Sequence, residues 1–276
     1  MNSEACKMEN PEIVKLDPPK RLYKFMRFDK DGYWMDTLKK FRLFMSNPLE
    51  FNDPFEGGII SFFPRVAGIS ISTALGQLHP ILKDCLSNFK TVCFSETCRS
   101  KSMWAYYADN YKGFCLEFAV TDTFKYIRNV NYVQDNIRYI PEYIEDEEHI
   151  SRSLRNALLF KSEDWEKEKE WRIIRDIKEY EEVDMKINES HEYFIYAKHQ
   201  ELQYFDYHKE DLISIILGPR IDKDLEYYVL GFARRHGILV KHAYTIPLSS
   251  TIEFYEEGNK PQGDGSNVER FLIKGM

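Results

Sequence analysis

Thr91–Phe118 reads TVCFSETCRSKSMWAYYADNYKGFCLEF, and the order of elements in it decides the fold class. Val92 to Ser95 predicts a strand. Ser100 or Ser102 starts a helix holding Met103, Trp104, Tyr107 and Ala108, and Gly113 suits its left-handed terminus. The strand that follows sets Phe114, Leu116 and Phe118 on one face and Cys115 and Glu117 on the other. Strand, polar loop, aromatic helix and strand within one short run point to an α+β protein. Its polar groups fall at strand ends and around a loop, where sites are commonly built.

The neighbouring segments extend this pattern. Leu22 to Phe28 alternates as a strand, Asp31 caps a helix to about Lys40, and Phe41, Leu43 and Met45 alternate as a second strand ended by Asn47-Pro48. Phe51 to Gly58 is a turn-rich loop, and the apolar spacing from Leu75 to Phe89 predicts an amphipathic helix. Further on, Tyr126 to Val133 reads as strand, Glu142 to Glu148 as a solvated acidic run, Ser151 to Trp165 as helix and Glu170 to Arg175 as strand. A short aromatic strand is expected near Tyr193 to Tyr196. Leu212 to Leu217, LISIIL, reads as an apolar run, as in a strand covered on both faces. Asp222 caps a helix that Gly237 stops before a strand at Ile238 to Ala243, which makes a crossover unit. The expected architecture is a single α+β domain over residues 21–276, with a mixed, mostly antiparallel sheet flanked by helices. Residues 1–20, with Pro18-Pro19, are expected to form a flexible lead-in.

A net charge of -7 disfavours a general affinity for nucleic acid, although local basic faces leave such a partner open. The five cysteines form no CxxC pair, so reduced structural thiols in a cytoplasmic protein are expected, with no metal site. No apolar run approaches a membrane span, and no apolar signal core opens the chain. Walker, GxGxxG, HExxH and GxSxG motifs are absent from the sequence.

Four pieces in order then carry a family resemblance: LYKFMRF at Leu22–Phe28, FNDPFE at Phe51–Glu56, CFSE with MWAYYADNYKGFCLEF across Cys93–Phe118, and EKEWR at Glu168–Arg172. With ISIILGPR following at Ile213–Arg220, the set resembles the bacterial family known as domain of unknown function 2971. Tyr106 and Tyr111 stand where the resemblance leads one to expect histidine, which argues against a proton-shuttling histidine or a metal in that helix. A fainter likeness extends to abortive-infection proteins of phage defence. The general plan is also similar to ADP-ribosyltransferase-like folds.

Candidate site residues follow, each with two readings. Glu168, Glu170 and Arg172 share one face of the predicted strand. Glu170 as catalytic carboxylate would hold a ribose hydroxyl of NAD, taken as substrate, and stabilise oxocarbenium character, while Arg172 makes a forked phosphate contact. The plainer reading is an exposed Glu–Arg pair of little energetic consequence. Asn52 and Asp53 either orient a ligand or bond the neighbouring backbone of a turn that presents Glu56. Trp104 reads as core, Tyr107 as core or stacking surface. Glu117 faces either a cleft or water beside an edge strand, and Tyr23 is expected to help position the ligand. Backbone amides after Gly218-Pro219-Arg220 suit a phosphate, but Asp222 competes for them as a cap. The expected function is a nucleotide-binding protein of ADP-ribosyltransferase-like character, acting in phage–host conflict. The alternatives are a non-catalytic sensor or antitoxin-like protein-binding module, and a metal-dependent nuclease using Asp176 and Lys178.

Overall fold

The computed structural model describes residues 12–53, 83–134, 147–177, 202–246 and 251–260. The fold is α+β, with a large, mostly antiparallel mixed sheet flanked by helices. The chain divides into two compact units. Residues 1–18, 43–93 and 126–205 make the first, and residues 19–42, 94–125 and 206–276 make the second.

In the second unit, β1 (Arg21–Met26) pairs antiparallel with β4 (Phe114–Ala119), placing Tyr23 opposite Glu117 and Phe25 opposite Cys115. On its other side β4 pairs antiparallel with β10 (Leu212–Leu217). The crossover expected from the sequence is present: β10 runs parallel to β11 (Leu239–Thr245), and α4 (Lys223–His236) connects them. Asp222 caps α4 by accepting from the amides of Asp224 and Leu225, so this carboxylate already occupies the helix start considered for phosphate. β12 (Ile252–Glu256) adds antiparallel to β11, and the end of β3 (Phe89–Ser95) meets β1 where Ser95 faces Tyr23.

Strand alternation separates two faces of this sheet. Phe25, Cys115, Ile216, Ala243 and Ile252 pack against Met103 and Trp104 of α2 (Lys101–Tyr106) and against Ala108. On the opposite face Phe114 meets Phe28, which meets Trp34 of α1 (Tyr33–Lys40), which in turn meets Tyr228 of α4.

In the first unit β8 (Glu170–Asp176) pairs antiparallel with the short β5 (Arg128–Asn129) and neighbours the start of β3. β6 (Asn131–Val133) runs parallel to β7 (Phe160–Ser162), and β2 (Arg42–Phe44) pairs with β9 (Tyr204–Asp206). Leu154, Ala157 and Leu158, at the end of α3 (Glu147–Ala157) and just after it, pack with Leu86 and Phe89. Ahead of β1, the amides of Val14 and Leu16 donate to the side chains of Asn131 and Asn129.

Several local expectations need correction. Asp29, not Asp31, receives the first amides of α1, from Tyr33 and Trp34. Helix α3 stops at Ala157, and the stretch expected to continue it becomes β7 and a 3-10 turn at Glu163–Glu168. Gly113 does not have a left-handed backbone; that conformation falls on Asp109, Asn110 and Tyr111. Gly113 is small because its backbone is crowded: a Cβ there would lie 2.1 Å from the Met26 carbonyl oxygen. Of the helix expected from Leu75 to Phe89, residues 83–87 are described and are helical. The strand expected at Tyr193–Tyr196 lies outside the described residues.

Candidate functional site

Two ionic constellations around buried glutamates, one in each unit, take in five of the residues singled out from the sequence: Glu168, Glu170 and Arg172 in one, Tyr23 and Glu117 in the other. In the first unit, Glu170 opens β8 and Arg172 follows on the same strand face, as the alternation requires. The Arg172 guanidinium grips Glu170 with a fork, Nε to Oε1 at 2.7 Å and Nη2 to Oε2 at 2.9 Å, and donates its Nη1 to the Leu158 carbonyl. Lys161, from β7, donates to Glu170 Oε2 at 3.0 Å and to Glu168 at 2.7 Å. The Glu170 amide donates to the Tyr132 hydroxyl. All four charged side chains are buried, Arg172 at 1% exposure. The exposed Glu–Arg pair is therefore not what folds: this is a desolvated network of two cations and two carboxylates. Glu168 sits in the 3-10 turn rather than on the strand, with left-handed Lys169 between them. Burial pulls the Arg172 guanidinium down to about 9, which leaves it charged at neutral pH.

The turn at Phe51–Asp53 adjoins this network, because the Arg172 guanidinium lies 5.2 Å from the centre of the Phe51 ring. Asn52 is exposed and Asp53 buried. Glu56 lies outside the described residues. Asp176, considered for a metal, accepts from the Ser151 hydroxyl. Among the described residues no group of three or more His, Cys, Asp or Glu is gathered as a metal ion would need.

In the second unit the hub is Glu117. β4 is flanked by β1 and β10, so Glu117 is on an interior strand and 1% exposed, and the edge-strand reading does not apply. Its Oε1 accepts from Arg21 and, at 3.3 Å, from the Tyr23 hydroxyl. Its Oε2 accepts from Ser214 at 2.5 Å and from Lys241 at 2.6 Å. Burial alone would raise this carboxyl, but bonds from Lys241 and Ser214, the Lys241 charge and Arg21 outweigh it, and the group sits below its ordinary value. Glu117 is thus a fixed anion. Tyr23 is pushed up, first by burial, and stays a neutral donor.

This row spans β1, β4, β10 and β11, one step along the sheet from the apolar band that α2 covers. Its outer members reach solvent: the Arg21 side chain is 53% exposed and that of Lys241 20%. Leu239, two residues before Lys241 and so on the same face, is also exposed. Tyr107, half-buried, packs on the neighbouring apolar cluster with Tyr23 and Cys98. Cys98 and Cys115 are both raised, chiefly by burial, so neither is an activated thiolate.

The structure therefore brings Tyr23 to Glu117 in one unit, and Glu170 to Arg172 beside the Asn52 turn in the other. Arg21, Ser214, Lys241 and Lys161 were missed. Ser214 carried a readable signal, a lone hydroxyl inside an otherwise apolar strand that had to find a buried partner. Lys161 carried none while its segment read as helix.

An α+β protein with ion-paired glutamates buried in its sheet is the class that this fold and these networks define. Residues 103–173 match the family model described as protein of unknown function DUF2971, which shows the resemblance over that stretch. The match takes in Glu117, Lys161, Glu168, Glu170 and Arg172. No curated protein and no solved structure matches the chain. Among the described residues no helix is long and apolar enough to cross a membrane.

Proposed function

We propose that this protein is a sensor-like binding module for a small nucleotide-class ligand, seated over the Glu117 row, and that binding rather than turnover is its activity. One observation carries this reading: a fully buried, ionised carboxylate is held by donors from three other strands, while its outer cations still reach solvent. Burying charge is a weak way to gain stability and a common mark of a site. The test is calorimetric titration of the full chain with ADP-ribose, AMP and NAD. Binding lost in a folded Lys241→Gln variant supports the reading, and absence of heat for all three ligands at millimolar concentration rejects it.

A second reading is the ADP-ribosyltransferase-like one, with Glu170 catalytic, Arg172 on the pyrophosphate and NAD as substrate. It draws support from the shared strand face and direct contact of Glu170 and Arg172. Charge weighs against it. Both Glu170 oxygens accept from cations, which leaves little negative potential for an oxocarbenium-like centre. Labelled NAD incubated with cell extract decides: transfer by the wild-type protein that a folded Glu170→Gln variant loses would establish the transferase. Plaque counts on cells expressing the same two proteins test the accompanying role in phage–host conflict.

A further inference from the structure

The two networks differ in what they leave unused. Lysine carries three N–H donors and arginine five. In the Glu117 row, the described contacts use one donor of Lys241, to Oε2, while Arg21 donates to Oε1 and also bonds the Tyr23 side chain. The cations therefore straddle a single carboxylate, on a face where both remain accessible. Their charges sum to one more than Glu117 neutralises. The Tyr23 hydroxyl lies between Arg21 and the hub, and exposed Leu239 supplies an apolar neighbour.

We propose that Arg21 and Lys241 form an anion clamp for the phosphate of a phosphomonoester, with Glu117 as the buried counter-charge that holds both cations in place. This rests on the nucleotide reading above and names the part of the ligand that the row takes. Glu117 fixes one donor of each cation and keeps the two heads at a set spacing. In the clamp, remaining donors of the forked guanidinium and of the ammonium bond the oxygens of one phosphate, as charge-assisted bonds favour. Glu117 is a positioning residue here, not a ligand contact.

The test titrates the full chain with AMP, adenosine and inorganic phosphate at low and at high salt. AMP is expected to bind, more weakly as salt screens the clamp, and adenosine to bind far less. Arg21→Gln and Lys241→Gln, tested separately with folding checked by circular dichroism, are each expected to weaken AMP about tenfold or more. Arg21→Lys should restore part of the affinity. AMP affinity unchanged in both folded variants overturns the clamp. If AMP and adenosine bind alike and neither variant matters, the nucleotide reading stands and the clamp falls. If inorganic phosphate binds as tightly as AMP and depends on Lys241, the clamp stands and the nucleotide reading falls. No binding by any of the three overturns both.

Discussion

Glu170 accepts from Arg172 through both oxygens and from Lys161 through one, in surroundings that exclude water. Removing one partner of such a pair leaves a buried charge without compensation. Glu170→Gln is therefore expected to lower stability by about 3–5 kcal/mol, read from urea denaturation at neutral pH. A loss below about 1 kcal/mol would mean that the network is a surface-like pair. Glu117 makes a second case, with pH as the lever. Its folded value is depressed, so its contribution is complete above the unfolded glutamate value of about 4.3 and is lost as pH falls through the folded value. Wild-type stability should fall on this acid limb. Glu117→Gln should start lower at neutral pH and lose less over the same range, and parallel acid limbs for the two proteins would contradict the assignment.

Among the elements, two glycines near strand starts separate two physical reasons for the same residue. Gly237 ends α4 with φ 67° and open space where a Cβ would go. Gly113 precedes β4 with no positive φ and no room. Asparagine tolerates the left-handed backbone, so Gly237→Asn should be nearly neutral, whereas Gly237→Ala should cost about 1–2 kcal/mol. At Gly113 both substitutions should destabilise, by about 1–3 kcal/mol or more, because either side chain collides with backbone. Thermal melts of the four variants check the pattern. From sequence both glycines read alike as helix stops, because crowding by Met26 depends on strand pairing and is not local. β1, β4, β8, β10 and α4 were legible, since apolar periodicity and capping residues mark them within their own segments. β7 was not. Leu158, Leu159 and Phe160 continue the helical spacing, and only pairing with β6 makes the next residues a strand. β12 carries a readable alternation in Ile252 and Phe254.

At the scale of the whole molecule, the site was partly legible for the same reason. Glu117 stood out as an acid on an apolar strand and Glu170 by sharing a strand face with Arg172, but Lys161 joins Glu170 only through the pairing of β6 with β7, and Arg21 and Lys241 reach Glu117 only through the strand order. That order also bears on the number of folding domains. The chain passes from one unit to the other after Pro18, Arg42, Cys93, Lys125 and Phe205, and neither unit is a continuous segment. Strand β3 begins in the first unit and ends in the second. A unit built from several separated segments must close long loops before its contacts form, which disfavours its folding alone. We therefore propose that residues 21–276 unfold as one cooperative domain. The four tryptophans allow a direct test, because Trp34 and Trp104 belong to the second unit and Trp165 and Trp171 to the first. One variant with Trp34 and Trp104 replaced by Phe, and another with Trp165 and Trp171 replaced, report one unit each by fluorescence. Within each variant, the fluorescence midpoint in urea should coincide with the midpoint followed by far-ultraviolet circular dichroism, and the slopes should agree. Comparing two probes in one protein removes any stability change due to the substitutions themselves. A fluorescence transition that separates from the dichroism in either variant would divide the chain into two independently folding domains.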